Sequence, residues 1–123
     1  MRDNFNLQFD KIFSFLVIHW IPNWSSLFKR LYDLMVQGGE IAYYLVADSN
    51  MYSVWKQMSK DPVWGKYYEV EIDKGFPESY YSPNPVQYAC NLMESVGFGV
   101  DESQLITNFH DFLNMENFNA FAL

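Results

Sequence analysis

Two apolar runs of strand length, Lys11–Ile18 and Glu40–Val46, flank one stretch of helical periodicity and a Gly-Gly pair. That order leaves few folds open. A continuous run of Ile, Phe and Val predicts a strand buried on both faces. Pro22 cannot extend the first run as a central strand. Ser25 or Ser26 is the expected N-cap of a helix in which Leu27, Phe28, Leu31, Leu34 and Met35 form the apolar face. Gly38-Gly39 is expected to end that helix. Strand, helix, turn and strand make one βαβ unit, which implies a parallel pair with a right-handed crossover. In such folds ligands bind just beyond the carboxyl ends of the strands.

Asp48, Ser49 and Asn50 offer caps for a second helix, about 51 to 60, with Val54, Trp55 and Met58 on one side. Residues 61 to 85 read as a long loop with four prolines and six aromatic residues, and connections of that length usually carry function. A third helix is expected from Val86 to Val96, with Tyr88, Ala89, Leu92, Met93 and Val96 as its stripe and Gly97-Phe98-Gly99 as its stop. Val100–Phe109 is expected to be a third strand, and Asn114 to cap a last helix over 115 to 123. One domain, 1-123, accounts for the chain, with no repeat or linker.

The composition narrows the partners. Half of the 123 residues are hydrophobic and 20% are aromatic, which argues against disorder and for a large core or an aromatic pocket. The formal net charge of -7 opposes binding to phosphate backbones, so no nucleic-acid partner is expected. Cys90 is the single cysteine; an intrachain disulfide is impossible, a reducing compartment fits, and a buried inert thiol is the simplest role. No run of about 18 apolar residues exists to span a membrane, and the N-terminal run is no secretory signal. A soluble, cytoplasmic protein is expected.

His19 and Trp20 stand where the first strand ends and the helix begins, with N–H donors at the carboxyl edge. Each also has a structural role open to it, His19 as a hydrogen-bonded support and Trp20 as core or a helix staple. His110 and Asp111 are adjacent, so on a strand they face opposite ways, and no metal site is expected there. No G-x-S-x-G motif supports a serine hydrolase.

The run Phe9-Asp10-Lys11-Ile12-Phe13-Ser14-Phe15, followed by His19-Trp20, resembles juvenile hormone acid O-methyltransferases, a family of class I S-adenosylmethionine-dependent enzymes. So do Gly38-Gly39-Glu40, the loop carrying Pro77, Tyr81, Ser82 and Pro85, and Ser95-Val96-Gly97-Phe98. The likeness covers about residues 9 to 112. It implies an α/β fold: a partial Rossmann-like class I methyltransferase sheet, strands four to six with their helices. By that likeness the N-terminal cofactor-binding half is expected to be missing from this sequence, for no glycine-rich cofactor loop is present, and Gly97-Phe98-Gly99 precedes an expected strand rather than a helix.

The resemblance further implies methyl transfer from S-adenosylmethionine to a small apolar carboxylic acid, juvenile-hormone-like or farnesoic. Trp20 would contact the substrate's carboxylate with His19 in support, and Tyr81 would also bind the substrate. The backbone at Ser14 and Phe15 would pass the cofactor. The aromatic segment from Trp64 to Tyr81 would wall the apolar chain, or would be ordinary packing. The chain alone is expected to be inactive, to bind the cofactor poorly and to self-associate through exposed sheet edges. Two other readings are a noncatalytic degenerate fragment or interaction module, and a methyltransferase for another class of small acceptor.

Overall fold

The computed structural model describes residues 7–68 and 75–107. Strand β1 is Phe9–Phe15, helix α1 Trp24–Asp33, strand β2 Met35–Tyr44, helix α2 Asn50–Ser59 and helix α3 Pro85–Val96. Short 3₁₀ turns lie at Ile18–Trp20, Gly65–Tyr67 and Glu78–Tyr81. The strands pair in parallel, as the βαβ pattern predicts. The architecture is α/β, with a two-stranded parallel sheet and helices among the described residues. None of the described helices is long and apolar enough to cross a membrane.

The unit between the strands differs from expectation. Helix α1 stops at Asp33, and β2 begins two residues later, so Met35 is buried in a strand rather than on the helix. Long-range pairing overrides helical spacing here: Phe9 donates its N–H to the Leu34 carbonyl at 2.8 Å, and Met35 pairs with Phe9. Gly38-Gly39 therefore does not end the helix. It lies in an irregularity inside β2, where the register passes from Phe9–Met35 to Lys11–Glu40 and the β2 side carries the extra residues. Gly38 takes φ 78° to turn the chain through it, a left-handed conformation that glycine adopts without a Cβ penalty. Lys11 and Glu40 form an ion pair just beyond it.

The cap of α1 is Asn23, not Ser25 or Ser26; Asn23 sits at φ 58° and its side chain accepts the Ser26 N–H at 3.0 Å. Helix α2 is capped by Ser49, and its buried residue is Tyr52, while Val54 is exposed. Helix α3 follows the sequence pattern closely. Pro85 occupies its first turn, Asn84 accepts the Gln87 N–H at 3.0 Å, and the Met93 carbonyl takes the N–H groups of Gly97 and Phe98.

The core is one-sided. Ile18, Trp24, Phe28 and Met93 are buried together, with Leu27, Leu31, Ile41, Tyr43, Leu92 and Val96 packed around them. Helices α1 and α3 thus cover the sheet face of Ile41 and Tyr43. The opposite face is open among the described residues: Phe13 is 65% exposed and Phe15 63%. The expectation of a strand buried on both faces is corrected on this point among the described residues, because the described helices cover one face only. Cys90 is half-buried and free.

The expected third strand is not formed over Val100–Thr107. Four polar residues, Asp101–Gln104, separate Val100 from Leu105 and Ile106, which are exposed, and the described sheet has only β1 and β2. The end of that strand, His110, Asp111 and the last expected helix lie outside the described residues.

Candidate functional site

Both strands deliver their chemistry at the carboxyl edge. Strand β1 ends at Phe15, and Leu16 adds one more bond, donating its N–H to the Tyr44 carbonyl at 2.7 Å. Leu16 takes φ 57°, so the chain leaves the sheet sharply and enters the 3₁₀ turn that carries His19 and Trp20. His19 is only 5% exposed, whereas Trp20 is 56% exposed, and their rings meet at 4.9 Å between centroids.

The Val46 N–H donates to His19 Nδ1 at 3.5 Å, a long bond that ties the end of β1 to the segment after β2. With Nδ1 accepting, the neutral ring carries its proton on Nε2. Burial lowers the His19 pKa, so the ring stays neutral at physiological pH. His19 is therefore a neutral, buried ring in contact with Trp20. The Trp20 indole N–H has no protein partner among the described residues.

Segment 45–49 leads from β2 into α2, which presents Tyr52, Trp55 and Lys56. The rings of Phe76, Tyr80 and Tyr81 gather there. Tyr52 meets Phe76 at 5.1 Å and Tyr80 at 5.4 Å, and Trp55 stacks near Phe76 at 6.4 Å. Burial first, then the nearby Asp48 charge, raises the Tyr52 pKa and keeps its phenol neutral. The Lys56 ammonium lies 4.7 Å from the ring centres of both Tyr80 and Tyr81.

Glu78 fixes this loop to the rest of the fold. Its carboxylate accepts the Trp24 N–H at 2.6 Å, at the start of α1, and the Tyr88 hydroxyl at 2.8 Å, on α3. A negative charge at a helix N-terminus is favourable in its own right. The Trp24 indole in turn donates to the Ile18 carbonyl at 3.1 Å, one residue before His19. Loop, helix starts and the His-Trp turn are thereby one connected assembly.

The sequence-predicted residues divide in two. His19 and Trp20 are in contact at the end of β1; Tyr81, 59% exposed, has its ring contacts in the second cluster, with Phe76 and Tyr80. Ser14 is half-buried and pairs with Tyr43, whose ring is in the core, while Phe15 faces the open side and lies near Phe13 at 6.3 Å. Their side chains thus point to opposite faces, and only their backbone can meet one ligand. Of the wall expected from Trp64 to Tyr81, the Trp64–Tyr67 pair is exposed and Phe76, Tyr80 and Tyr81 pack on α2. Lys56 and Glu78 escaped sequence reasoning; a lone acid and a lone base beside aromatic residues were the only signals. No three metal-ligating side chains gather among the described residues.

A parallel β–α–β unit with donors and aromatic rings at its carboxyl edge is a small-molecule-binding arrangement of α/β proteins. Two curated proteins are similar to the chain. Juvenile hormone acid O-methyltransferase of Bombyx mori is 26% identical over 102 residues, covering 83% of this chain and 36% of that protein. The Drosophila melanogaster protein of the same name is 25% identical over 92 residues, covering 74% of this chain and 31% of its own length. No family model matches. The chain is a distant relative of this methyltransferase and spans about a third of the length of the curated relatives it matches.

Proposed function

We propose that this chain orients the acceptor in S-adenosylmethionine-dependent O-methylation of a small apolar carboxylic acid, of the juvenile-hormone-like or farnesoic kind. The observation that carries the reading is Trp20: an exposed indole whose N–H is unpartnered among the described residues, at the carboxyl end of a parallel strand, in a distant relative of juvenile hormone acid O-methyltransferases. In this reading β1 and β2 correspond to strands four and five of the class I methyltransferase sheet. The single free cysteine supports a cytoplasmic setting.

A carboxylic acid is already ionised near neutral pH, so its oxygen needs no general base. The Trp20 N–H would donate to one carboxylate oxygen and aim the other. His19, neutral and buried, holds the indole without competing for the anion. Contact of the acceptor's apolar body with the exposed rings beside the turn would displace water from both, which favours an in-line attack. The sharp exit of the chain at Leu16 leaves the backbone of Ser14 and Phe15 at the edge, compatible with a cofactor passing there. When bound, S-adenosylmethionine supplies the electrophilic methyl group.

Methyl transfer from labelled S-adenosylmethionine to farnesoic acid tests the proposal, with Trp20→Phe as the key variant. Phe keeps the aromatic bulk and removes the donor. Loss of one hydrogen bond to a charged group costs roughly ten- to a hundredfold in turnover, with cofactor affinity little changed. Turnover within about twofold of the parent would make Trp20 a packing residue.

A further inference from the structure

Lys56 is a cation without a counter-charge among the described residues. The ion pairs among the described residues are Lys11 with Glu40 and Lys29 with Asp33. The Lys56 ammonium has neither an acid nor a hydrogen-bond acceptor there; it lies against the rings of Tyr80, Tyr81 and, at 5.7 Å, Phe76. Ring faces attract a cation but occupy none of its three N–H donors with a lone pair. Lys56 is half-buried as a residue, its stem packed beside these rings. Around the side chain stand Tyr52 and Phe76, which are 3% and 5% exposed, and the partly exposed Trp55. In a chain of net charge -7, this is a local positive centre inside an aromatic cluster.

We propose that Lys56 and the rings of Phe76, Tyr80 and Tyr81 form a binding site for a carboxylate carried on an apolar body. The ammonium takes the carboxylate, and the rings take the adjoining hydrocarbon. Each half contributes separately, and only an apolar carboxylate uses both. An inorganic anion gains nothing from the rings, and a neutral hydrocarbon gains nothing from the charge. The loop is held in place by Glu78, through its bonds to Trp24 and Tyr88, so the clasp is assembled before a ligand arrives. The proposal rests on the reading of the acceptor as an apolar acid, and adds to it a charged recognition group that Trp20 cannot supply.

Binding of decanoate and of decanol to the full chain, without cofactor, tests it. Titration calorimetry at low ionic strength is the measurement. In Lys56→Met the decanoate affinity should fall about tenfold, since a charge-assisted contact near the surface lies at the low end of its range. Lys56→Arg should restore most of it, and decanol affinity should stay within about twofold throughout. Unchanged decanol binding also reports that the aromatic cluster has survived the substitution. If Lys56→Met loses decanol and decanoate alike, Lys56→Gln replaces it, with the same expected split. Equal decanoate affinity in parent and Lys56→Met, or no decanoate binding by the parent, overturns the assignment. Neither result bears on Trp20, whose test is methyl transfer.

Discussion

Removing the Glu78 carboxylate should loosen the connection between the aromatic loop and both flanking helices. In Glu78→Ala two bonds vanish, one from the Trp24 N–H and one from the Tyr88 hydroxyl. Bonds to charged groups contribute about 1.5–3 kcal/mol when shielded from water. Glu78 is exposed, so water competes, and about 1 kcal/mol each is the appropriate scale. Its charge at the start of α1 adds about 0.5 kcal/mol. The sum is about 2.5 kcal/mol. With about 2.1 cal/mol/K of unfolding entropy per residue, the melting temperature should drop by about 8–10 °C. Glu78→Gln keeps one acceptor and loses the charge, so about half that drop is expected. Circular dichroism melts of the full chain measure both. Tyr88→Phe should cost about 1 kcal/mol in the parent and almost nothing in Glu78→Ala, because its partner is already gone. A Glu78→Ala melt within about 2 °C of the parent, or additive effects with Tyr88→Phe, would refute the clamp.

Burial lowers the His19 pKa, so the unfolded chain binds that proton more readily than the folded one. Stability from this group is whole above the unfolded value of about 6.5 and is lost as pH falls through it; His19→Gln should flatten that limb in melts between about pH 7 and pH 5. The open sheet face, with Phe13 and Phe15 well exposed, should drive self-association visible as a concentration-dependent sedimentation coefficient. The double substitution Phe13→Ser with Phe15→Ser should suppress it, and an unchanged coefficient would locate the contact elsewhere.

Local pattern was enough for the parts of this protein that are built locally. The strand–helix–strand order implies a parallel pair, and β1 and β2 form one. The stripe of α3 and its Gly97 stop were readable, because caps and helical spacing act within four residues, while its start at Pro85 falls one residue before the expected Val86. The turn with His19 and Trp20 was likewise visible, since an apolar run must end somewhere and aromatic donors at that end are unusual.

What local pattern could not decide was everything set by a distant partner. Met35 has the right spacing for α1, yet pairing with Phe9 puts it in a strand and moves Gly38-Gly39 from a helix end into β2. Val100–Thr107 has strand-like residues but no strand beside it to pair with among those described. Whether Phe13 and Phe15 are covered depends on which face α1 and α3 occupy, a choice that alternation alone leaves open. Glu78 reaches Trp24 across 54 residues, and Lys56 meets Tyr80 and Tyr81 only because the loop returns over α2. Charge and ring contacts of that range depend on distances in space, and a linear sequence carries none.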